Sequence, residues 1–301
     1  MTAATVPTQT ASQRPEAFQK LEQAIEQACS AGGWRAYLTA QARFHRYSFR
    51  NLLLILEQSP NATRVAGFHD WLKHSRCVRK SEKGIAILAP MKWQKHDKDT
   101  GETTSGIGGF RVVYVFDIAQ TDGEPLPERP QVHFTDGSSD HAAILTQTLT
   151  ESLKRAGIPV LIQDLEPGHF GSFNRVTKTI TISSNLGDVQ RFSTLVHESA
   201  HATLHAHPQQ SLDPTPAPNG LGSLPIEDAV RAKALKEFEA ESVACVVLEH
   251  FGVDTLECSA GYLASYGATP EHLVKIGARV QACASQIIEA IEEGSRTEVQ
   301  A

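Results

Sequence analysis

No stretch of about 20 apolar residues occurs anywhere in the sequence, so none of it reads as a transmembrane helix. The segment from Met1 to Gln13 lacks the basic start and apolar block of a secretory signal, and residues 1–14 read instead as a disordered leader. Cysteine is scarce and never paired. Cys29, Cys77, Cys245, Cys258 and Cys283 are odd in number, scattered and nowhere spaced Cys-x-x-Cys, which argues against a disulfide framework and against a cysteine-based zinc site. These absences point to a cytoplasmic protein with no membrane partner. No internal repeat is visible either.

What is present suffices for two cores. The 301 residues are 41% hydrophobic and 21% charged, and a chain of that length divides naturally into two domains. The formal net charge of −6 conceals an asymmetry. Residues 1–120 hold 16 Lys or Arg against 10 Asp or Glu, whereas the remainder holds 12 against 24, giving balances of +6 and −12. A basic part joined to an acidic part suggests that one meets a polyanion while the other does different work.

Periodicity places the elements. Phe18, Leu21, Ile25 and Ala28, then Trp34, Tyr37 and Leu38, recur at helical spacing, with an interruption expected at Gly32-Gly33. Tyr47 to Glu57 forms a compact apolar helix, with Ser48 able to cap it and Pro60 just past its end. Gly84 to Pro90 and Phe110 to Ile118 have strand composition, separated by a polar stretch from Lys95 to Gly108 expected to be mobile. Proline and charge gather from Thr121 to Pro130, which sets a linker at 121–135 between domains at 15–120 and 136–301. Beyond it lie a helix near His141 to Ala156, a strand near Pro159 to Asp164, and a hairpin of His169 to Phe173 with Thr179 to Ser183. A helix from Val189 to His205 follows, capped by Asp188. A Pro-rich loop and a long helix from Ile226 to Phe251 come next, and at least one further helix closes the chain. The fold class is α+β.

The string His197-Glu198-Ser199-Ala200-His201 carries the chemistry. On a helix, positions i and i+4 share a face, so both imidazoles can reach one tetrahedral Zn2+, with Glu198 beside the metal as general base and then acid. A soluble helix bearing two surface histidines is the plainer alternative. His205, His207 and acids on the long helix compete for the third ligand position. Three ligands on one straight helix would spread over two turns, which counts against His205. The extended metzincin motif needs glycine where Leu204 stands, which counts against His207. Glu237 and Glu241 share a face of the long helix, whereas Glu239 points elsewhere. In the gluzincin arrangement the first acid of such a pair ligates and the second accepts the free N–H of a ligating histidine, so Glu237 is assigned as ligand and Glu241 as its partner. Three protein ligands leave a fourth place for water, the mark of a catalytic site.

In the basic part, nine Lys or Arg stand against three acids between Arg43 and Lys83, interleaved with Phe44, Tyr47, Phe49, Phe68 and Trp71. Cations that neutralise phosphates and rings that stack on unpaired bases are what single-strand binders combine. The candidate set is Arg43, Arg46, Tyr47, Arg50, Trp71, Arg79, Lys80 and Lys83, against the alternative that the aromatics are core and the charges a solvated surface.

The block RFHRYSFRNLLLILEQSPNATRVAGFHDWLKHSRCVRKSEKGIAILAP from Arg43 to Pro90 closely resembles the N-terminal domain of ArdC-like antirestriction proteins. The pieces TLVHESAHATLH from Thr194, KEFEAESVACVV from Lys236 and AGYLASYG from Ala260 resemble the metallopeptidase domain of those proteins and of the wider ImmA/IrrE group. The resemblance implies a small α+β domain that binds single-stranded DNA, followed by a zincin-like metallopeptidase domain. Such a protein is associated with conjugation or mobile elements and protects incoming DNA from restriction. Its zinc motif falls on His197, Glu198 and His201, and its downstream acid on Glu237. Many relatives carry Trp and Gly after the second histidine, where this chain has Ala202-Thr203-Leu204-His205, a departure that bears on substrate preference. A protein or peptide is the implied substrate, with Tyr262 or Tyr266 as candidate oxyanion donor and the strand Thr179 to Ser183 as candidate substrate-pairing edge. The rival reading is a DNA-binding regulatory or protective protein whose metal site is structural or unused for proteolysis.

Overall fold

A computed structural model describes residues 13–96, 103–126, 140–206, 226–253 and 269–299. The chain opens with two helices, α1 (Gln13–Ala28) and α2 (Ala31–Arg43). Their break lies at Cys29-Ser30 rather than at the glycine pair, because the Ser30 hydroxyl accepts from Gly33 N at 3.0 Å. That bond satisfies one of the donors a helix start leaves unpaired, and Gly32 and Gly33 fall in the first turn of α2. Since α1 already begins at Gln13, the expected leader is helical in its last two residues, and residues 1–12 lie outside the described part.

Two compact units emerge, and they do not follow chain order. One comprises Met1–Ala28 with Phe49–Glu128, the other Cys29–Ser48 with Arg129–Ala301. Thus α2 belongs with the C-terminal residues.

The first unit adds α3 (Phe49–Gln58), β1 (Val65–Gly67), α4 (Phe68–Lys73), β2 (Arg76–Val78), β3 (Ile85–His96), β4 (Thr103–Asp117), a 3-10 turn (Ile118–Gln120) and β5 (Thr121–Gly123). Its main sheet has the antiparallel order β1-β4-β3. Strand β3 is an edge whose outer backbone is covered by α3. Asn51 bonds both N–H and C=O of Leu88 at 2.9 Å. Gln58 does the same for Ala86, at 3.0 and 2.8 Å. Two amide side chains thereby replace a missing neighbour strand, and Leu52, Leu53, Leu54 and Ile55 supply the buried face.

Two expectations change in this unit. The polar stretch after Lys95 is largely strand, because β3 and β4 stay paired out to His96 and Thr103 with a single irregularity between Pro90 and Lys92. Residues 97–102 lie outside the described part. The presumed linker begins as β5, paired with β2. Arg76 fastens it by donating to Thr121 Oγ1 at 2.8 Å and to the carbonyls of Thr121 and Gly123 at 3.0 and 3.1 Å.

The second unit contains α2, α5 (Asp140–Arg155), β6 (Val160–Gln163), β7 (Gly171–Asn174), β8 (Thr179–Ser183), α6 (Asp188–Leu204), α7 (Ile226–His250) and α8 (Pro270–Val299). Asn174 closes the β7–β8 hairpin, its Oδ1 accepting from Val176 N at 2.9 Å and Thr177 N at 3.1 Å. The sheet order β6-β8-β7 makes β8 the central strand, parallel to β6 and antiparallel to β7. Helix α6 lies against β7 and β8 and is flanked by α5, α7 and α8. Asp188 is the first residue of α6 and not its cap, a place held by Gly187; there its carboxylate meets the positive helix end and Arg191 at 3.2 Å. The Pro-rich loop expected at Pro208 to Pro225 lies outside the described residues. Cys245 is disulfide-bonded, which its sequence spacing did not foretell.

Candidate metal centre

Helix α6 supplies two imidazoles and α7 a carboxylate. His197 and His201 face one another with Nε2 atoms 3.1 Å apart. Glu237 Oε2 stands 3.4 Å from each. A tetrahedral ion with bonds of 2.0–2.1 Å holds its ligand atoms about 3.3 Å from one another, so three donors already stand at the corners that such an ion requires. They form the group of His, Cys and acidic side chains able to hold a divalent cation among the described residues. The donor set suits a borderline cation: two neutral-capable nitrogens and one anionic oxygen.

Helix α7 reaches this position because of what surrounds Glu237. Successive helical residues diverge by about 100°, so Glu237, Phe238 and Glu239 must face three ways. Phe238 is buried against the Trp34 ring of α2, with centroids 5.5 Å apart. With that side anchored, Glu237 turns to the two histidines and Glu239 to a third.

Electrostatics follow from the geometry. Burial opposes the charge on His197, yet the hydrogen bond it donates to Glu237 and the nearby Glu198, Glu237 and Glu241 carboxylates raise its pKa overall. Hydrogen bonds from His197 and then His201 hold Glu237 far below the usual carboxylate range. Burial pushes Glu198 up, partly offset by His201 and His197. Glu198 is the least exposed of these acids after Glu239, at 7%, and it lines a cleft of about 860 Å³ with His197, Glu237, Glu241, His169 and Gly171. At Gly171 a Cβ would meet Thr194 Cγ2 at 2.6 Å, so the absence of a side chain lets β7 lie close to α6 beside the cleft.

The partner of the candidate ligand histidines differs from expectation. His201 Nδ1 lies 2.9 Å from His205 Nδ1. Glu241 lines the cleft near His197, but the hydrogen bond on the far side of His201 goes to His205. His205 Nε2 in turn lies 2.9 Å from Glu239 Oε2. Glu239 is fully buried and also accepts from Arg279 Nε at 2.7 Å and Nη2 at 3.2 Å. Burial disfavours its charge, but the bonds from His205 and Arg279 prevail and lower its pKa. For His205 burial prevails over Glu239, and its pKa is lowered. Sequence reasoning asked only whether His205 could be a ligand; the same four-residue spacing from His201 was the available signal for a supporting role. Glu239 and Arg279 had no such signal, since a lone acid and a lone arginine on helices read as solvated.

Tyr262, Tyr266 and His207 lie outside the described residues. Strand β8 cannot pair with a substrate, because β6 and β7 occupy both its sides; among the described residues the edge strand beside the cleft is β7.

The proposed DNA-contacting set is divided between the units. Arg43, Arg46 and Tyr47 fall in the second, while Arg50, Trp71, Arg79, Lys80 and Lys83 fall in the first. Trp71 cannot stack on a base: it is 2% exposed and its Nε1 donates to Phe116 O at 2.9 Å. Phe44 and Phe49 are core as well. Arg79 is tied to Glu82 at 2.7 Å and Asp122 at 3.4 Å. Arg50, Lys80 and Lys83 are exposed. Exposed rings do occur at positions outside that set, among them Phe18 of α1 and Trp93 of β3. Trp93 lies across the strand pair on Gly106, where a Cβ would meet the indole at 2.8 Å, and it remains 47% exposed.

The second unit thus presents a candidate divalent-metal centre of the His-Glu-x-x-His kind. Residues 14–122 match the family described as the N-terminal domain of anti-restriction factor ArdC, so this part of the chain is similar to that domain. The uncharacterized protein pXO2-81 of Bacillus anthracis is 27% identical over 84% of this chain. The chain spans about half, 46%, of that relative's length. Among solved structures, the metal-free antirestriction protein ArdC from plasmid R388 aligns over 82% of this chain and 86% of its own, at 18% identity and a TM-score of 0.49. The Mn(II)-bound structure of that protein aligns over 81% and 89%, at 16% identity and a TM-score of 0.44. No helix among the described residues is long and apolar enough to cross a membrane.

Proposed function

We propose that this protein is a zinc metallopeptidase joined to a domain that binds single-stranded DNA, and that it protects incoming mobile-element DNA from restriction. The ArdC-type N-terminal domain supports the protective role. The observation that carries the enzymatic reading is the spacing of His197, His201 and Glu237 at tetrahedral separations, with Glu198 beside them in an open cleft.

When bound, zinc supplies Lewis acidity to a water and to the scissile carbonyl. Glu198 accepts the proton of the attacking water and hands it to the leaving amine; its burial raises its proton affinity towards what that exchange needs. His169, at the mouth of β7, adds positive potential near Glu198 when protonated. The outer edge of β7 supports an extended peptide through backbone hydrogen bonds.

Glu198→Gln tests the reading. The variant keeps its metal content, measured by elemental analysis, and loses cleavage of an unfolded protein substrate by about 100-fold or more. Full protection of transferred DNA by this variant in a restriction assay would mean that proteolysis is not the function and that the site is structural or regulatory.

A further inference from the structure

Behind the candidate ligand His201 lies the line His205, Glu239, Arg279, none of which lines the cleft. Its hydrogen-bond logic runs in one direction. Arg279 gives Glu239 two N–H donors, at 2.7 and 3.2 Å, so Glu239 is an anion that can only accept. The His205 Nε2 facing it at 2.9 Å must then carry a hydrogen. A neutral imidazole with a protonated Nε2 has a bare Nδ1, and that atom is the one 2.9 Å from His201 Nδ1. His201 therefore donates from Nδ1, and its Nε2, which faces His197 and Glu237, is the atom left to bind an ion there. That arrangement satisfies every polar atom along the line without adding a second proton to either ring, and the His205 and Glu239 side chains are each 1% exposed, so water takes no part.

We propose that His205, held by Glu239 and Arg279, is a positioning residue that fixes His201 in the Nδ1–H tautomer and orientation required of a metal ligand. The inference rests on the metal-site reading above. A histidine in this place does what a carboxylate or a backbone carbonyl does behind many metal-bound imidazoles, with the anion moved one residue further back. Arg279 also donates to Leu204 O at 3.1 Å, so the same guanidinium that orients Glu239 holds the last turn of α6, where His205 ends the helix. Helices α6, α7 and α8 meet at this line, and an error in their packing would reach the metal through it.

Two measurements test this on the full-length protein. Nitrogen-15 NMR of the metal-free protein reads ring tautomers directly: His201 is expected as Nδ1–H and His205 as Nε2–H, and the reverse assignment for His201 overturns the proposal. Zinc affinity, from competition with a chromophoric chelator, is expected to fall about 10- to 100-fold in His205→Phe. Circular dichroism and thermal unfolding of the metal-free variant establish that it is folded; if it is not, the tautomers decide. Unchanged affinity in a folded variant removes the role of His205 alone. Failure of the wild-type protein to bind zinc removes the metal site and this role together.

Discussion

The indole Nε1 of Trp34 donates to Ser242 Oγ at 3.2 Å, across 208 residues of chain. Both side chains are buried, and the same ring packs on Phe238, which lies between Glu237 of the candidate metal centre and the buried Glu239. A helix lying within the N-terminal family match thus sets the rotation of the helix that delivers Glu237.

Trp34→Ala is accordingly expected to destabilise the protein by about 3–5 kcal/mol, the usual cost of emptying a large aromatic site. Trp34→Phe keeps most of the packing and loses the bond to Ser242, at about 1 kcal/mol. Denaturant unfolding at constant slope separates the two.

Trp93 and Trp71 should part company in a DNA-binding assay. Trp93→Ala is expected to weaken binding to a single-stranded oligonucleotide by about 1–3 kcal/mol while leaving unfolding unchanged. Trp71→Ala, at a core position, lowers stability instead. Fluorescence anisotropy at two salt concentrations, beside a melt of each variant, checks both outcomes. Equal loss of affinity without unfolding in the two variants would contradict the assignment.

Glu292 gives a pH signature away from the metal. His250 Nε2 lies 3.1 Å from its carboxylate and, with burial opposing, holds its pKa below the ordinary value. A carboxylate depressed in the folded state stabilises at pH above its unfolded pKa of about 4.3, and that contribution disappears as pH falls through the folded value. Glu292→Gln is expected to cost about 1 kcal/mol near neutrality, with the gap to wild type closing in acid. A gap that widened on acidification would reverse the sign and exclude the pair as its cause.

Thiol chemistry should rank the free cysteines by burial. Cys77 is exposed, Cys29 intermediate and Cys283 buried, with burial pushing the Cys283 thiol up to about 12. Iodoacetamide labelling followed by mass spectrometry is expected to modify Cys77 first and to leave Cys283 unreacted until the protein unfolds.

Much of this architecture was legible in the sequence because its signals are local. The helix of His197 and His201, the hairpin closed by Asn174 and the long helix carrying Glu237 all follow from periodicity and turn chemistry within short windows. What escaped depends on distant partners. Glu239 was set aside because its own helix gave no use for it, and only His205 and Arg279, arriving from two other helices, make it a buried anion. Trp71 looked like a stacking ring until Phe116 O, 45 residues away, claimed its N–H. Trp93 was missed for the opposite reason: its exposure comes from β3 continuing into a stretch too polar to read as strand.

The interleaved path of the second unit makes a further test simple. A fragment of residues 129–301 lacks α2 and would leave Phe238 and Ser242 of α7 without the Trp34 ring, so it is expected to aggregate or stay molten. Adding a peptide of residues 29–48 in trans should restore a cooperative melt. A cooperative melt for the bare fragment would show that α2 is dispensable.

During synthesis the same arrangement imposes a delay. Helix α2 leaves the ribosome with Trp34 and Tyr37 ready to pack, but their partners Phe238, Ser242 and Gly277 are about 200 residues from being made. The first unit can close around residues 49–128 in the interval, while the segment between its two pieces waits. The candidate ligands His197, His201 and Glu237 are therefore brought together only once α7 has been made, long after α2 has left the ribosome.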